Sequence, residues 1–187
     1  MTATSFERLT EQPAQVKAPA PTTGLPIHTI SLLVRNKPGV LVRVSLVFAR
    51  RGYNIESLVV SADVTNGEFS RMTITCSGDP ETLEQIIKQI TKLIDVVHAL
   101  DHTGQAVIET EIALVKLRSS LKERTEILQI AEHYKAKVVD YGSESLILRI
   151  YGESEKLDNF VSLLRPFGIA ELVRSGKVLM ARGLETT

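Results

Sequence analysis

From His28 onward, apolar and polar positions fall into clear periods. Ile30, Leu32 and Val34 alternate with Thr29, Ser31 and Leu33 up to Arg35, which predicts a strand with a buried face. After Asn36-Lys37-Pro38-Gly39, the residues Val40, Val44, Val47 and Phe48 recur at helical spacing with Leu41 beside them. Gly52 stops that run, so the helix has about three turns. Residues 55–62 are β-branched and apolar, Asn66-Gly67 is a strong tight-turn signal, and residues 69–76 alternate with Met72, Ile74 and Cys76 on one side. Together they predict a hairpin. Asp79-Pro80 supplies a cap and a proline at the first helical position, and Leu83, Ile86, Ile87, Ile90 and Ile94 line one face of the helix that follows. Residues 96–101 return as a last strand, completing the order βαββαβ.

The second half repeats that order. Residues 112–117 read as a strand, 121–134 as a helix, and 137–141 with 146–151 as a hairpin around Gly142. A helix over 154–164 points Leu157, Phe160, Val161 and Leu164 inward, Pro166 and Gly168 end it, and residues 169–174 close the unit. With right-handed crossovers, βαββαβ gives an antiparallel four-stranded sheet with both helices on one face. The expected fold class is therefore α+β, as two tandem ferredoxin-like modules. Leu33, Leu58 and Val60 fall to the other face of the first sheet in this reading, which implies partial cover there. A module of about 75 residues is only marginally able to bury a core, so two of them are expected to pack together or to pair with another chain. The expected boundaries are a flexible tail at 1–26, a first domain at 27–103 and a second at 104–183.

Composition narrows the class. Lysine plus arginine balance aspartate plus glutamate at 22 each, so no long-range field draws this protein to nucleic acid or anionic lipid. Four of the seven prolines, at positions 13, 19, 21 and 26, fall in the first 26 residues, where little periodic apolar pattern exists. The weak amphipathic stretch from Phe6 to Leu9 reads as part of this tail. The single cysteine, Cys76, cannot form an internal disulfide and sits at an apolar strand position. No run approaches the roughly 18 apolar residues a membrane span needs, and the N-terminus lacks a basic start followed by an apolar segment. A reducing, cytoplasmic setting is the expectation.

Catalytic chemistry is hard to find. Cys76 lacks any motif that would lower its pKa. His98 and His102 flank Asp101, but this stretch reads as a strand running into the loop at Gly104, not as a helix that would put both imidazoles on one metal. Ser119-Ser120 reads as a helix cap, and Arg50-Arg51 as cations suited to the end of a helix dipole. Neither GxGxxG nor GxxxxGK[ST] occurs, and no helix-turn-helix signature is present. Neither a catalytic residue nor a metal ligand is assigned.

One loop carries binding chemistry. Asn36-Lys37-Pro38-Gly39-Val40-Leu41 joins a strand directly to a helix start, where unpaired amides and the positive dipole end can receive a carboxylate. Pro38 fixes the chain direction, and Gly39 lets a ligand approach the amides of Gly39, Val40 and Leu41. The same tetrapeptide also serves as a plain cap and turn. Asn54, just beyond the first helix, offers a side-chain amide to an amino acid's ammonium or carboxylate, or caps the loop at Gly52-Tyr53. For an apolar ligand, Leu41, Ile55 and the first-helix side chains would line the pocket.

The strand, Asn-Lys-Pro-Gly-Val-Leu turn and helix resemble the opening of an ACT domain. The longer pattern resembles the small subunit of acetolactate synthase, also called acetohydroxyacid synthase. It runs through Arg50-Arg51-Gly52-Tyr53-Asn54-Ile55-Glu56-Ser57-Leu58 and Ser70-Arg71-Met72-Thr73-Ile74, then Lys92-Leu93-Ile94-Asp95-Val96. Glu111-Ile112-Ala113-Leu114-Val115-Lys116, Arg165-Pro166-Phe167-Gly168-Ile169 and Arg182-Gly183 extend it over residues 28–183. The resemblance implies a noncatalytic regulatory subunit. Such a subunit binds and activates a separate catalytic (large) subunit, which carries thiamine diphosphate, Mg2+ and FAD, and it confers feedback inhibition by valine or a related branched-chain amino acid. It further implies homodimers through the ACT domains, with the effector at their interface. Carried over by motif, the effector residues are Asn36, Gly39, Val40, Leu41, Asn54 and Ile55. Lys37 and Pro38 are given no specific contact. The alternatives are a freestanding amino-acid-sensing ACT protein or coregulator without an enzyme partner, and a small ferredoxin-like enzyme, for which no anion loop with a catalytic base is found.

Overall fold

The computed structural model describes residues 25–64, 67–184 and 187. The expected tail up to residue 24, with its Phe6 to Leu9 stretch, and Asn66 of the expected turn lie outside the described residues. The chain divides into two compact units, Ile112–Arg174 and the described parts of Pro21–Glu111 with Ser175–Thr187. Residues 104–111 and 175–183, which the sequence reading placed in the second domain, fall in the first unit. The chain thus leaves the first unit once and returns to it.

In the first unit, β1 (Ile27–Arg35), α1 (Val40–Arg50), β2 (Asn54–Ala62), β3 (Phe69–Ser77), α2 (Pro80–Ile90) and β4 (Val96–Asp101) follow in the expected order. Their antiparallel sheet runs β2-β3-β1-β4, which leaves β2 at an edge. The alternation in β1 puts Ile30, Leu32 and Val34 at 0–1% exposure against Val44 and Phe48 of α1 and Ile86 of α2. Each such burial contributes about 1.5–3 kcal/mol. Helix α1 ends because Gly52 takes φ +68. There the Gly52 amide donates to Ala49 O (3.1 Å) and the Tyr53 amide to Phe48 O (3.1 Å), satisfying carbonyls the helix leaves open. Helix α2 starts on Asp79, whose carboxylate accepts from the Thr82 amide at 2.9 Å.

Two expectations fail here for local reasons. Helix α2 stops at Ile90 and a turn follows, so Ile94 is 92% exposed and does not line the helix face. In β2 the pairing register slips between Ile55 and Ser57. Leu58 and Val60 then stand opposite Ile74 and Met72, on the helix side, and Leu58 packs into the core. The face away from the helices keeps Leu33 and carries Thr29, Ser31, Thr75 and Ser77, these four all 4–9% exposed. The returning segment reaches β2. Gly176 lies against Ser57 and Val59, and β9 (Val178–Met180), absent from the sequence reading, pairs with residues 108–110.

The second unit is built from β5 (Ile108–Arg118), which begins in the first unit, and then α3 (Arg124–His133), β6 (Lys137–Tyr141), β7 (Ser145–Gly152), α4 (Ser154–Leu164) and β8 (Ile169–Arg174). Its strands run β6-β7-β5-β8, and Val115, Leu117, Leu148, Ile127, Phe160 and Leu164 form a core at 0% exposure. Helix α3 begins at Arg124, three residues later than the periodicity suggests, and Leu121 is 78% exposed.

Candidate functional site

Helix α1 opens on Gly39, which holds φ +83 and, having no side chain, makes no capping bond. The first amides of a helix have no partner inside it. In α1 only a long bond (3.4 Å) ties the Val40 amide back to Lys37 O, while Gly39 O accepts the Arg43 amide at 3.1 Å. Asn36 is exposed, and its amide nitrogen donates to Gly67 O at 3.1 Å, so it braces the β2–β3 turn and does not cap the helix. Val40 is buried at 2% and offers a ligand only its backbone. Leu41 is 40% exposed, next to Val42 at 61% and Leu46 at 46%, so the start of α1 carries apolar surface facing solvent.

Arg43 is the residue the sequence reading missed. Its Nη1 stands 3.3 Å from where a Gly39 Cβ would be, and its Nη2 bonds Asp95 Oδ2. A half-neutralised guanidinium therefore lies beside the open helix start, adding to the dipole's preference for an anion. The signal was its spacing, one helical turn after Gly39.

Asn54 and Ile55 lie elsewhere in the same chain. Arg35, just before the loop, pairs with Phe69 at one end of β3, whereas Asn54 pairs with Ser77 at the other. Eight strand residues separate these ends, roughly 25 Å at about 3.3 Å per residue. Leu41 and Ile55 likewise sit at opposite ends of α1, so they do not line one pocket within a chain, and Ile55 packs partly into the core. Asn54 is exposed at the outer sheet edge. Tyr53 seats it. The Tyr53 hydroxyl donates to Asp79 O and its ring covers Gly78, where any Cβ would fall 2.2–2.6 Å from ring atoms. Burial and then the Asp79 carboxylate push the Tyr53 phenol above its ordinary range.

The matching strand-to-helix loop of the second unit is built from different side chains. Glu123 Oε2 accepts from the Ser120 amide at 2.9 Å and the Ser120 hydroxyl at 2.7 Å, and those two bonds hold its carboxyl below the usual range. Arg124, 4% exposed, donates to Gly142 O and Ser143 O and stacks over Tyr141 at 4.6 Å. Neither α1 nor α3 has a side-chain cap; the Glu123 carboxylate braces the turn before α3 and does not bond that helix's first amides.

The histidines are taken up structurally. His102 Nε2 meets Ser31 Oγ at 2.7 Å and its Nδ1 meets Gln105 Oε1 at 3.2 Å, while His28 Nε2 meets Gly78 O at 3.0 Å. A cleft of about 620 Å3 is lined by Leu100, Ala106, Val107 and Ala181 together with Asp101, His102, Gln105 and Arg182, and among its polar groups Asp101 accepts from the Thr103 amide and Gln105 donates to Asp101 O. No group of three or more His, Cys, Asp or Glu side chains able to hold a metal occurs among the described residues. Among those residues, no helix is long and apolar enough to cross a membrane.

Comparison with known proteins bears on the whole chain. Residues 30–98 match the AHAS small subunit-like ACT domain, and residues 110–183 match the small subunit of acetolactate synthase. A probable acetolactate synthase small subunit from Methanothermobacter thermautotrophicus is 46% identical over 160 residues, covering 85% of this chain and 95% of that one. The acetolactate synthase small subunit of Mycolicibacterium smegmatis is 44% identical, covering 86% and 94%. The crystal structure of the small subunit from Thermotoga maritima superposes with a TM-score of 0.76 at 37% identity, covering 85% of this chain and 99% of that one. Matched in both halves and along nearly the full length of these relatives, the chain belongs to the acetolactate synthase small-subunit family.

Proposed function

We propose that this protein is the regulatory subunit of acetolactate synthase. It binds and activates a separate thiamine-diphosphate-dependent catalytic subunit, and it lets valine inhibit that enzyme by feedback on branched-chain amino acid biosynthesis. The observation that carries the effector reading is the open start of α1: Gly39 without a side-chain cap, Arg43 beside it, and Leu41, Val42 and Leu46 exposed around it. An amino acid's carboxylate suits the amides and guanidinium, and an aliphatic side chain suits the apolar surface.

In this reading the ammonium group is met by Asn54 of a second copy, and the topology suggests how that residue is brought there. Among the described residues, β2 is an edge strand of nine residues with Val60 45% exposed, the kind of edge that invites pairing. Two copies related by a two-fold axis pair their β2 edges antiparallel, so the Asn54 end of one strand lies beside the Ala62 end of the other. Ala62 pairs with Ser70, at the same end of the sheet as Arg35 and Gly39. The effector site then combines Asn36, Gly39, Val40 and Leu41 of one copy with Asn54 and Ile55 of its partner.

The test is acetolactate formation by the reconstituted enzyme with Asn36→Ala and Asn54→Ala. Losing a hydrogen bond to a charged ligand group raises the half-inhibitory valine concentration by about tenfold or more while activation persists. Wild-type valine sensitivity in both variants would remove these residues from the site.

A further inference from the structure

The chain crosses between the two units at Glu111/Ile112 and again at Arg174/Ser175, and both crossings are tied to one small element of the first unit. Residues Ile108, Glu109 and Thr110 pair with Met180, Leu179 and Val178. Lys177 Nζ lies 2.9 and 3.0 Å from the two carboxylate oxygens of Glu109, with side chains only 18% and 28% exposed. This clamp joins the outgoing and returning segments within three residues of each crossing.

The same element presses on β2. Gly176 is buried with φ +81, and a Cβ there would stand 2.8 Å from Ser57 Cβ, 2.9 Å from Ser57 Oγ and 3.3 Å from Val59 Cγ2. Ser57 follows directly on the register slip after Ile55. The backbone at Gly176 therefore rests on β2 three residues from Asn54, on the face away from the core.

We propose that the Gly176 contact with β2 couples effector binding to the second unit, with residues 175–177 and the Lys177–Glu109 clamp as the moving part. The inference rests on the effector reading above. A ligand shifts a conformational equilibrium only through contacts that differ between its two states. Seating a ligand on Asn54 and Ile55 biases the slipped register beside them, a point where a strand has alternative settings. A Cβ at Gly176 would already be too close to Ser57, so the Gly176 backbone packs directly on β2 and a change of β2 at Ser57 displaces it. The clamp passes that displacement to both ends of the inserted unit together.

Two variants test this in the complex with the catalytic subunit, Gly176→Ala at the contact and Lys177→Ala at the clamp. The latter removes the largely buried Lys177–Glu109 ion pair without changing a backbone conformation. Acetolactate formation is titrated with L-valine, and L-valine binding to the regulatory protein alone is followed by calorimetry. The expected result is a rise of at least about fivefold in the half-inhibitory concentration in both variants with activation unchanged, and in Lys177→Ala, which leaves the contact with β2 in place, with valine affinity unchanged as well. Unchanged inhibition in folded Lys177→Ala and Gly176→Ala would overturn the coupling. So would a loss of inhibition in Lys177→Ala matched by an equal loss of valine affinity, since the segment would then only support the site. Wild-type protein that activates the enzyme yet neither binds nor responds to valine, leucine or isoleucine would instead overturn the effector reading itself.

Discussion

Gly39 and Arg43 illustrate how much a single position decides. Any Cβ at Gly39 meets a left-handed φ of +83 and the Arg43 guanidinium at 3.3 Å, so glycine keeps both the turn and the space above the helix start. Whereas the bond of Asn36 to Gly67 O depends on a turn 31 residues away, the glycine was legible in the sequence, because turn chemistry is local. Arg43 was not, since a cation in the first turn opposes the helix dipole and reads as surface charge until Asp95 and Gly39 are seen beside it. Cys76 gives a cleaner test of local environment. Burial first, then the Asp101 and Glu56 carboxylates, push its thiol from the ordinary 9.0 to about 12. Its folded pKa exceeds its unfolded one, so the folded state holds the proton more tightly. The stabilisation is intact below about pH 9 and is lost as pH climbs toward 12. Denaturant midpoints of the wild type should fall more steeply between pH 8 and 10.5 than those of Cys76→Ala, and parallel curves would contradict the buried, protonated thiol.

At the scale of elements, periodicity carried the reading well inside each helix and strand and poorly at the ends. Val44, Val47 and Phe48 in α1 and Leu157, Phe160 and Leu164 in α4 are buried as their spacing implies. The ends depend on hydrogen bonds that apolar spacing does not encode. Ile94 continued the apolar stripe of α2 after its backbone had turned away, and the Glu123–Ser120 bonds close a turn where Leu121 suggested helix. Strand β9, three residues long and paired with a distant segment, has no period to detect. Helix α3 ends with Lys135 at φ 56, a left-handed position normally given to glycine. The Lys135 amide donates to Glu132 O at 3.0 Å and the Ala136 amide to Ala131 O at 2.8 Å, so the cap geometry is already in place. Lys135→Gly should stabilise the protein by about 0.5–1 kcal/mol, seen as a higher melting temperature. A lower one would mean that the lysine side chain contributes more than its backbone costs.

For the whole molecule, the two-module plan and the family pattern were legible, because each module repeats the same order of buried faces. The insertion of Ile112–Arg174 into the first unit was not, since it depends on where the returning segment pairs. The separation of the two asparagines follows from sheet register, and in the proposed function it makes a single chain carry halves of two sites. Pairing along β2 is therefore central. Val60→Lys places a charge on that edge and should shift the protein from dimer to monomer in sedimentation equilibrium while leaving the fold intact by circular dichroism. An unchanged dimer would move the interface elsewhere. The most direct measurement of the account as a whole is acetolactate formation by the cognate catalytic subunit, with and without this protein, across a valine titration. Added protein should raise the rate, and valine should lower it again only when the protein is present. No activation, and no difference in valine response with the protein present or absent, would contradict it.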